Sequence, residues 1–289
     1  MNDPSRVANP SVFPYESRTD HDVPVGDDYS VWKDWRAADF GIVNREESLY
    51  FERELQASGI GKHVGLRIGE IGYGNGAFAG WARRAGAHWI GRETSQALQA
   101  RAVEAGFDIL TPDSSLSDPW GGSALDLIVA FDVVEHMSLC TIRSFLEEAK
   151  AALKPGGLLL LRIPSGDSPF VSAVYWGDVT HRTLLGSSAV RQLACELDLE
   201  VRQLRSPVLP MTGLSTTRLV RRAAVRFARW IAFSFVRTAL MGNGSAILSP
   251  NMIVVLARKR GGGGSRLTAT ERAPGGAAGN PGHVTGRPS

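Results

Sequence analysis

The sequence predicts an α/β protein built on a mostly parallel sheet, and three observations carry that expectation. Short apolar runs alternate with amphipathic stretches from residue 63 onward, a glycine-rich loop joins the first run to the first helix, and one apolar run, 252–257, returns only after a long excursion. A chain of 289 residues has room for one such domain with appendages.

In chain order, residues 1–27 are rich in Asp, Pro and Ser and read as a flexible N-terminal arm; they lack the apolar stretch of an export signal, so a cytoplasmic location is expected. Residues 28–62 read as a helical cap. Asn44 and Glu47 have capping-box spacing ahead of Leu49, Phe51 and Leu55, and Tyr29, Trp32, Trp35 and Phe40 are expected either to cover a site as a lid or to pack half-buried against the sheet. The main domain spans 63–258. Strands are expected at 64–71, 88–91, 107–110, 125–131, 158–163, 199–205 and 252–257, with helices from 77, from 95, over 141–153 and near 187–197. Residues 206–249 form an insertion before the last strand, and 259–289 are a disordered Gly/Pro-rich tail.

Composition narrows the function classes. With 43% hydrophobic and 21% charged residues, wholesale disorder and a polytopic membrane protein are excluded. Cys140 and Cys195 fit no disulfide framework and no zinc spacing. Residues 1–200 carry 18 basic and 28 acidic side chains, net −10, whereas 201–289 carry 14 and 1, net +13. No acidic residue lies between Glu200 and Glu271, which points to an anionic partner, a phospholipid surface or a nucleic acid, the alternative being a basic tail that only aids solubility.

The loop Glu70-Ile71-Gly72-Tyr73-Gly74-Asn75-Gly76 follows an expected strand and precedes an expected helix. Alternate glycines allow a sharp turn with the backbone pressed on a ligand and its amides free to donate. Glu93 ends the next strand, where a carboxylate can accept both ribose hydroxyls. The Gly-x-Gly-x-Gly spacing differs from the Gly-x-Gly-x-x-Gly of dinucleotide sites and favours S-adenosylmethionine.

On these residues, together with Gly91–Ser95, Asp126–Met137 and Leu153-Lys154-Pro155-Gly156-Gly157, the chain resembles the class I S-adenosylmethionine-dependent methyltransferases. The resemblance covers about 63–205 and resumes at 251–258. It implies a Rossmann-like seven-stranded sheet with an antiparallel last strand. It also implies a cofactor site of Glu70, Gly72, Gly74, Gly76, Glu93 and Phe131, with Asp113 accepting from the adenine amino group. Tyr73 stands where the family has a small residue.

Asp132, Glu135 and His136 would share one face if a helical turn starts at Asp132, and two carboxylates with an imidazole could hold a divalent cation such as Mg2+. Metal-dependent O-methyltransferases of ubiquinone precursors and of small RNAs have a similar Glu-x-x-Glu-His. By that resemblance His181 would be a further ligand. Metal-free members use a similar Glu-His to fix the loop over the cofactor, and His181 could then be the general base. The catalytic candidates are thus His181, His136 and Asp132.

In the insertion, Arg218, Arg221, Arg222, Arg226 and Arg229 fall opposite Val220, Ala224, Phe227, Ile231 and Phe235 on a helix. Such a helix either lies on an anionic membrane or docks its apolar side on the protein's own core. The expected activity is O-methylation of a glycan or lipid-linked small molecule at the inner membrane surface. The alternatives are an RNA 2'-O-methyltransferase-like enzyme, for which interleaved stacking aromatics are not evident, and a non-catalytic cofactor-binding partner subunit.

Overall fold

The computed structural model describes Lys33 and residues 40–210, 216–240 and 246–260. The expected arm at 1–27, the tail beyond 260 and the aromatics Tyr29, Trp32 and Trp35 lie outside the described residues. Among the described residues, the helix α1 (Arg45–Ala57) precedes the sheet. The alternation then runs β1 (Arg67–Ile71), α2 (Ala77–Arg84), β2 (His88–Arg92), α3 (Gln96–Glu104), β3 (Ile109–Leu110) and β4 (Leu125–Phe131). It continues with α4 (Leu139–Ala152), β5 (Leu153–Pro164), the single turn α5 (Ser172–Tyr175), α6 (Ser187–Glu196), β6 (Leu199–Arg205), α7 (Thr216–Leu240) and β7 (Asn251–Arg258).

The seven strands stand in the order β3-β2-β1-β4-β5-β7-β6. Strands β1 to β5 are parallel, and β7 slots antiparallel between β5 and β6. The long excursion before β7 is what lets it enter from the opposite end. Because the chain leaves β1 toward β2 and later returns to β4 on its other side, the order reverses between β1 and β4. A crevice opens there at the carboxyl ends of the strands.

The sheet is buried on both faces, and the period of two divides its side chains between them. Ile128, Ala130, Met252, Val254 and Leu256 pack with Phe145, Leu146, Val190 and Leu193 of α4 and α6. Their neighbours Leu127, Val129, Ile253 and Val255 pack with Leu55, Phe78, Trp81 and Leu98 of α1, α2 and α3.

Helix α1 begins as the sequence predicts: the Glu47 amide donates to Asn44 Oδ1 and the Asn44 amide to Glu47 Oε2, each at 2.9 Å. Four expectations change, one being that the third strand is confined to Ile109–Leu110 instead of 107–110. The first strand starts at Arg67 rather than 64, because residues 64–65 form a turn in which the Gly65 amide donates to the Gly86 carbonyl. The expected turn at 153–157 is drawn into β5, with Gly156 at φ +82° in the irregular stretch where the pairing with β4 shifts. The side chain of Phe40 is neither lid nor half-buried. It is buried between Tyr73 and Phe107, and the Gly41 amide donates to the Asn75 carbonyl, so this segment holds the glycine loop from behind.

Candidate active site

A cleft of about 680 Å³ occupies the crevice between the β1 and β4 ends. Gly72, Gly74 and Gly76 sit at φ +65°, +54° and +72°, a region in which a Cβ is strained. They do different work. Gly72 and Gly74 line the cleft; Gly76 does not, and a Cβ on it would come within 2.6 Å of the Phe40 ring. A Cβ on Gly72 would meet Val133 at 2.5 Å, so the loop is pressed against the segment that follows β4.

Glu93 closes the other side. One carboxylate oxygen accepts from the Gly74 amide at 3.2 Å, the other from the amides of Thr94 at 2.8 Å and Ser95 at 3.2 Å. Arg92 beside it makes a two-pronged pair with Glu148 at 2.8 and 2.7 Å, fixing the end of β2 to α4. Glu70 lines the floor, buried, and accepts from Trp89 Nε1 at 2.8 Å. Burial pushes its carboxyl up to about 8, against the Trp89 hydrogen bond. Tyr73 also lines the cleft, but its ring packs on Phe40 and Trp89. Gly91 permits this, since a Cβ there would lie 2.4 Å from both the Tyr73 and the Trp89 rings. Asp113 is exposed and does not line the cleft, whereas the neighbouring Pro112 does.

The segment after β4 departs from expectation. Asp132 takes a left-handed conformation, φ +57°, and the turn that follows is a 3-10 turn over Val134–His136, so Asp132, Glu135 and His136 do not share a helical face. The Asp132 carboxylate is held by Arg162 of β5, whose Nε donates at 2.8 Å and whose Nη2 pairs with the second oxygen. The Arg162 guanidinium lies over the rings of Phe131 and Tyr50, both of which line the cleft. Asp132 is thereby removed from the expected metal set: its charge is spent on Arg162, and it is not among the donors that gather behind it.

Those donors are Glu135, His136 and His181, whose donor atoms lie within 4.8 Å of one another. His181 Nδ1 donates to the Tyr175 carbonyl at 2.7 Å, which leaves Nε2 facing Glu135 Oε1 at 4.0 Å. Thr180 Oγ1 donates to Asp178 at 2.5 Å and sits 2.8 Å from His136 Nδ1, which therefore carries the proton and leaves Nε2 as its basic nitrogen. Glu135 is 2% exposed, and its Oε2 is buried with no hydrogen-bond partner among the described residues. Burial, then Asp132, pushes its carboxyl up to about 8. Burial, then the neighbouring His181, holds His136 below the ordinary histidine value. Of the two histidines, His136 lines the cleft, and His181 does not.

Sequence reasoning missed Arg162, Thr180 and Asp178. A signal for the first was present: Arg162 is the one charged residue in the apolar run 158–164.

A glycine loop spaced Gly-x-Gly-x-Gly, an acid at the β2 end and a seven-stranded sheet with β7 antiparallel between β5 and β6 place the chain among the class I S-adenosylmethionine-dependent methyltransferases. A family model described as a methyltransferase domain matches residues 44–204, more than half of the chain, and the chain belongs to that family. It is 35% identical over 100 residues to a ubiquinone biosynthesis O-methyltransferase of Methylobacterium sp. (strain 4-46), covering 33% of this chain and 39% of that protein. A protein of the same description from Chelativorans sp. (strain BNC1) is 34% identical over 104 residues, covering 34% and 40%. The matches therefore span about two-fifths of the length of these relatives. The fold is similar to that of a SAM dependent methyltransferase from Archaeoglobus fulgidus, with a TM-score of 0.51 at 15% identity over 73% of this chain and 94% of that one.

Proposed function

We propose that the protein is an S-adenosylmethionine-dependent O-methyltransferase acting on a hydroxylated small molecule with an apolar, lipid-type portion. The observation that carries the reading is the cradle of Gly72, Gly74 and Glu93 opening onto a cleft that also holds a base, His136. Glu93 is placed to accept from ribose hydroxyls and the loop amides to donate to the cofactor. The acceptor class rests on the rings of Tyr50, Phe51 and Phe131 along the cleft, and on the relatives named for ubiquinone biosynthesis. These features favour a lipid-linked acceptor over a glycan.

Methyl transfer asks the protein mainly to align acceptor oxygen, methyl carbon and sulfur and to exclude water. His136 Nε2 takes the proton of the acceptor hydroxyl as that oxygen bonds the methyl carbon, while the sulfur keeps the electron pair of the broken bond. The Thr180–Asp178 pair fixes the tautomer that makes Nε2 the base. This assigns to His136 the role that the sequence gave first to His181, which faces Glu135 behind it.

A second reading is favoured by one observation, the buried Glu135 Oε2, which has no hydrogen-bond partner among the described residues. Glu135, His136 and His181 fit a divalent cation, because both imidazoles have Nδ1 engaged by an oxygen, the outer-shell arrangement of metal-ligating histidines. When bound, such an ion would lower the pKa of an acceptor hydroxyl. The deciding experiment is transfer of a labelled methyl group from S-adenosylmethionine to hydroxylated acceptors, phenols carrying isoprenoid chains first and lipid-linked sugars second, with and without chelator. Transfer that survives chelation but is lost in His136→Ala supports the base reading. Transfer that requires Mg2+ and fails in Glu135→Gln supports the second. No transfer to any hydroxyl overturns both.

A further inference from the structure

Helix α7 settles which way the amphipathic insertion faces. At 100° per residue, Val220, Ala224, Phe227, Trp230, Ile231 and Phe235 occupy one arc, and Arg218, Arg222 and Val236 lie across from it. The second group faces the protein. Arg218 and Arg222 pair with Glu46 of α1, Arg222 also donates to the Pro210 carbonyl at 2.6 Å, and Val236 is the one buried side chain of α7 among the described residues. The apolar arc therefore points away from the protein: Phe227, Trp230 and Phe235 are 62%, 65% and 68% exposed. A helix stabilised by its own core would bury those rings; this one leaves them in solvent and turns the half-buried Arg222 and the buried Val236 toward the protein.

The surroundings are cationic. Arg221 borders the arc on one side, and Arg226 and Arg237 border it on the other. Arg226 and Arg229, with Arg53 of α1, line a groove of about 690 Å³ that has no carboxylate among its lining residues. No helix among the described residues is long and apolar enough to cross a membrane, so the helix can lie on a bilayer but not span it.

We infer that α7 is a seat for an anionic phospholipid bilayer, with the rings of Phe227, Trp230 and Phe235 among the upper acyl chains and the flanking guanidiniums at the headgroup phosphates. Charge selects this occupant over a second copy of the chain. Two copies of α7 meeting through this arc would bring together the bordering Arg221, Arg226 and Arg237 of each, six guanidiniums with no acidic residue between Glu200 and Glu271 to offset them, whereas anionic headgroups neutralise them. The seat is mechanically joined to the cleft, because α1 holds α7 through Glu46 and lines the cleft through Glu47, Tyr50 and Phe51. The inference does not rest on methyl transfer and is tested without it.

The full chain is sedimented with vesicles of phosphatidylcholine alone and of phosphatidylcholine mixed with phosphatidylglycerol. Binding should favour the anionic vesicles and weaken with salt. Arg221→Ala and Arg226→Ala should each reduce partition by about fivefold at low ionic strength. Phe227→Ser and Trp230→Ser should each reduce it by about tenfold. All four positions are exposed, and retained S-adenosylhomocysteine binding shows that a variant is folded. Equal partition to the two vesicle types, or ring variants that sediment like the parent, would overturn the inference. So would a vesicle-free dimer that Trp230→Ser dissolves, which would assign the surface to a second copy.

Discussion

Replacing Gly72 by alanine tests the account of the glycine loop most sharply, because the cost divides into two separable parts. A left-handed φ of +65° costs a non-glycine residue about 1–2 kcal/mol. The new Cβ also falls 2.5 Å from Val133 Cγ2, an overlap of the kind that costs about 1–3 kcal/mol when neighbours must shift. Gly72→Ala should therefore lose on the order of 2–5 kcal/mol in urea denaturation. It should also weaken S-adenosylhomocysteine, since Gly72 lines the cleft. The double variant Gly72→Ala/Val133→Ala removes the overlap but not the backbone strain, so, measured against Val133→Ala alone, which has its own loss of core packing, Gly72→Ala should cost only about 1–2 kcal/mol. Gly76→Ala meets Phe40 instead, off the cleft, and should lose comparable stability with little change in ligand affinity. A Gly72→Ala protein as stable as the parent, or additive single variants with no rescue by Val133→Ala, would refute the reasoning.

The buried carboxyls make stability fall with rising pH. Glu70 and Glu135 are held protonated up to about 8 in the fold, whereas an unfolded glutamate ionises near 4.5, so the native state binds the extra protons between those values. Glu70→Gln should flatten the loss of Tm between pH 5 and 8 measured by calorimetry, recovering on the order of a few kcal/mol at the alkaline end; an unchanged slope would show that Glu70 is ionised in the fold. The Arg162–Asp132 pair is partly exposed, so a double-mutant cycle with Arg162→Met and Asp132→Asn should give a coupling of about 1 kcal/mol, and a value near zero would deny it a structural role. If His136 is the base, kcat should fall only at acidic pH, below the ordinary histidine value of about 6.5, and His136→Ala should lower kcat far more than KM; equal pH profiles for parent and variant would remove it from the chemistry.

The sheet was legible in the sequence because its central strands β4, β5 and β7 are near-continuous apolar runs, while the edge strand β6 still alternates Leu199, Val201 and Gln203 with charged residues. Leu125–Phe131 and Leu199–Arg205 have the bounds read from the pattern, and Asn44 with Glu47 marked the start of α1. The cofactor cradle was legible for a different reason: glycine spacing and the acid at the end of β2 are local and sit within one βαβ unit. What failed was local geometry decided by distant partners. Asp132 was assigned to a helical face shared with Glu135, but Arg162, thirty residues away, captures its carboxylate, and the backbone there turns left-handed. The roles of His136 and His181 depend on Thr180, Asp178 and Tyr175, which no spacing rule connects to them. For α7 the periodicity was visible but its direction was not, because that is set by Glu46 on another helix.

The measurement that bears most directly on the central claim is calorimetric titration of the full chain with S-adenosylhomocysteine, run in parallel on Glu93→Ala. The account predicts binding in the micromolar range for the parent and a loss of about tenfold or more in the variant, the consequence of removing hydrogen bonds to a charged acceptor. Absence of binding, or an affinity that Glu93→Ala leaves unchanged, would contradict the assignment of this cleft to S-adenosylmethionine.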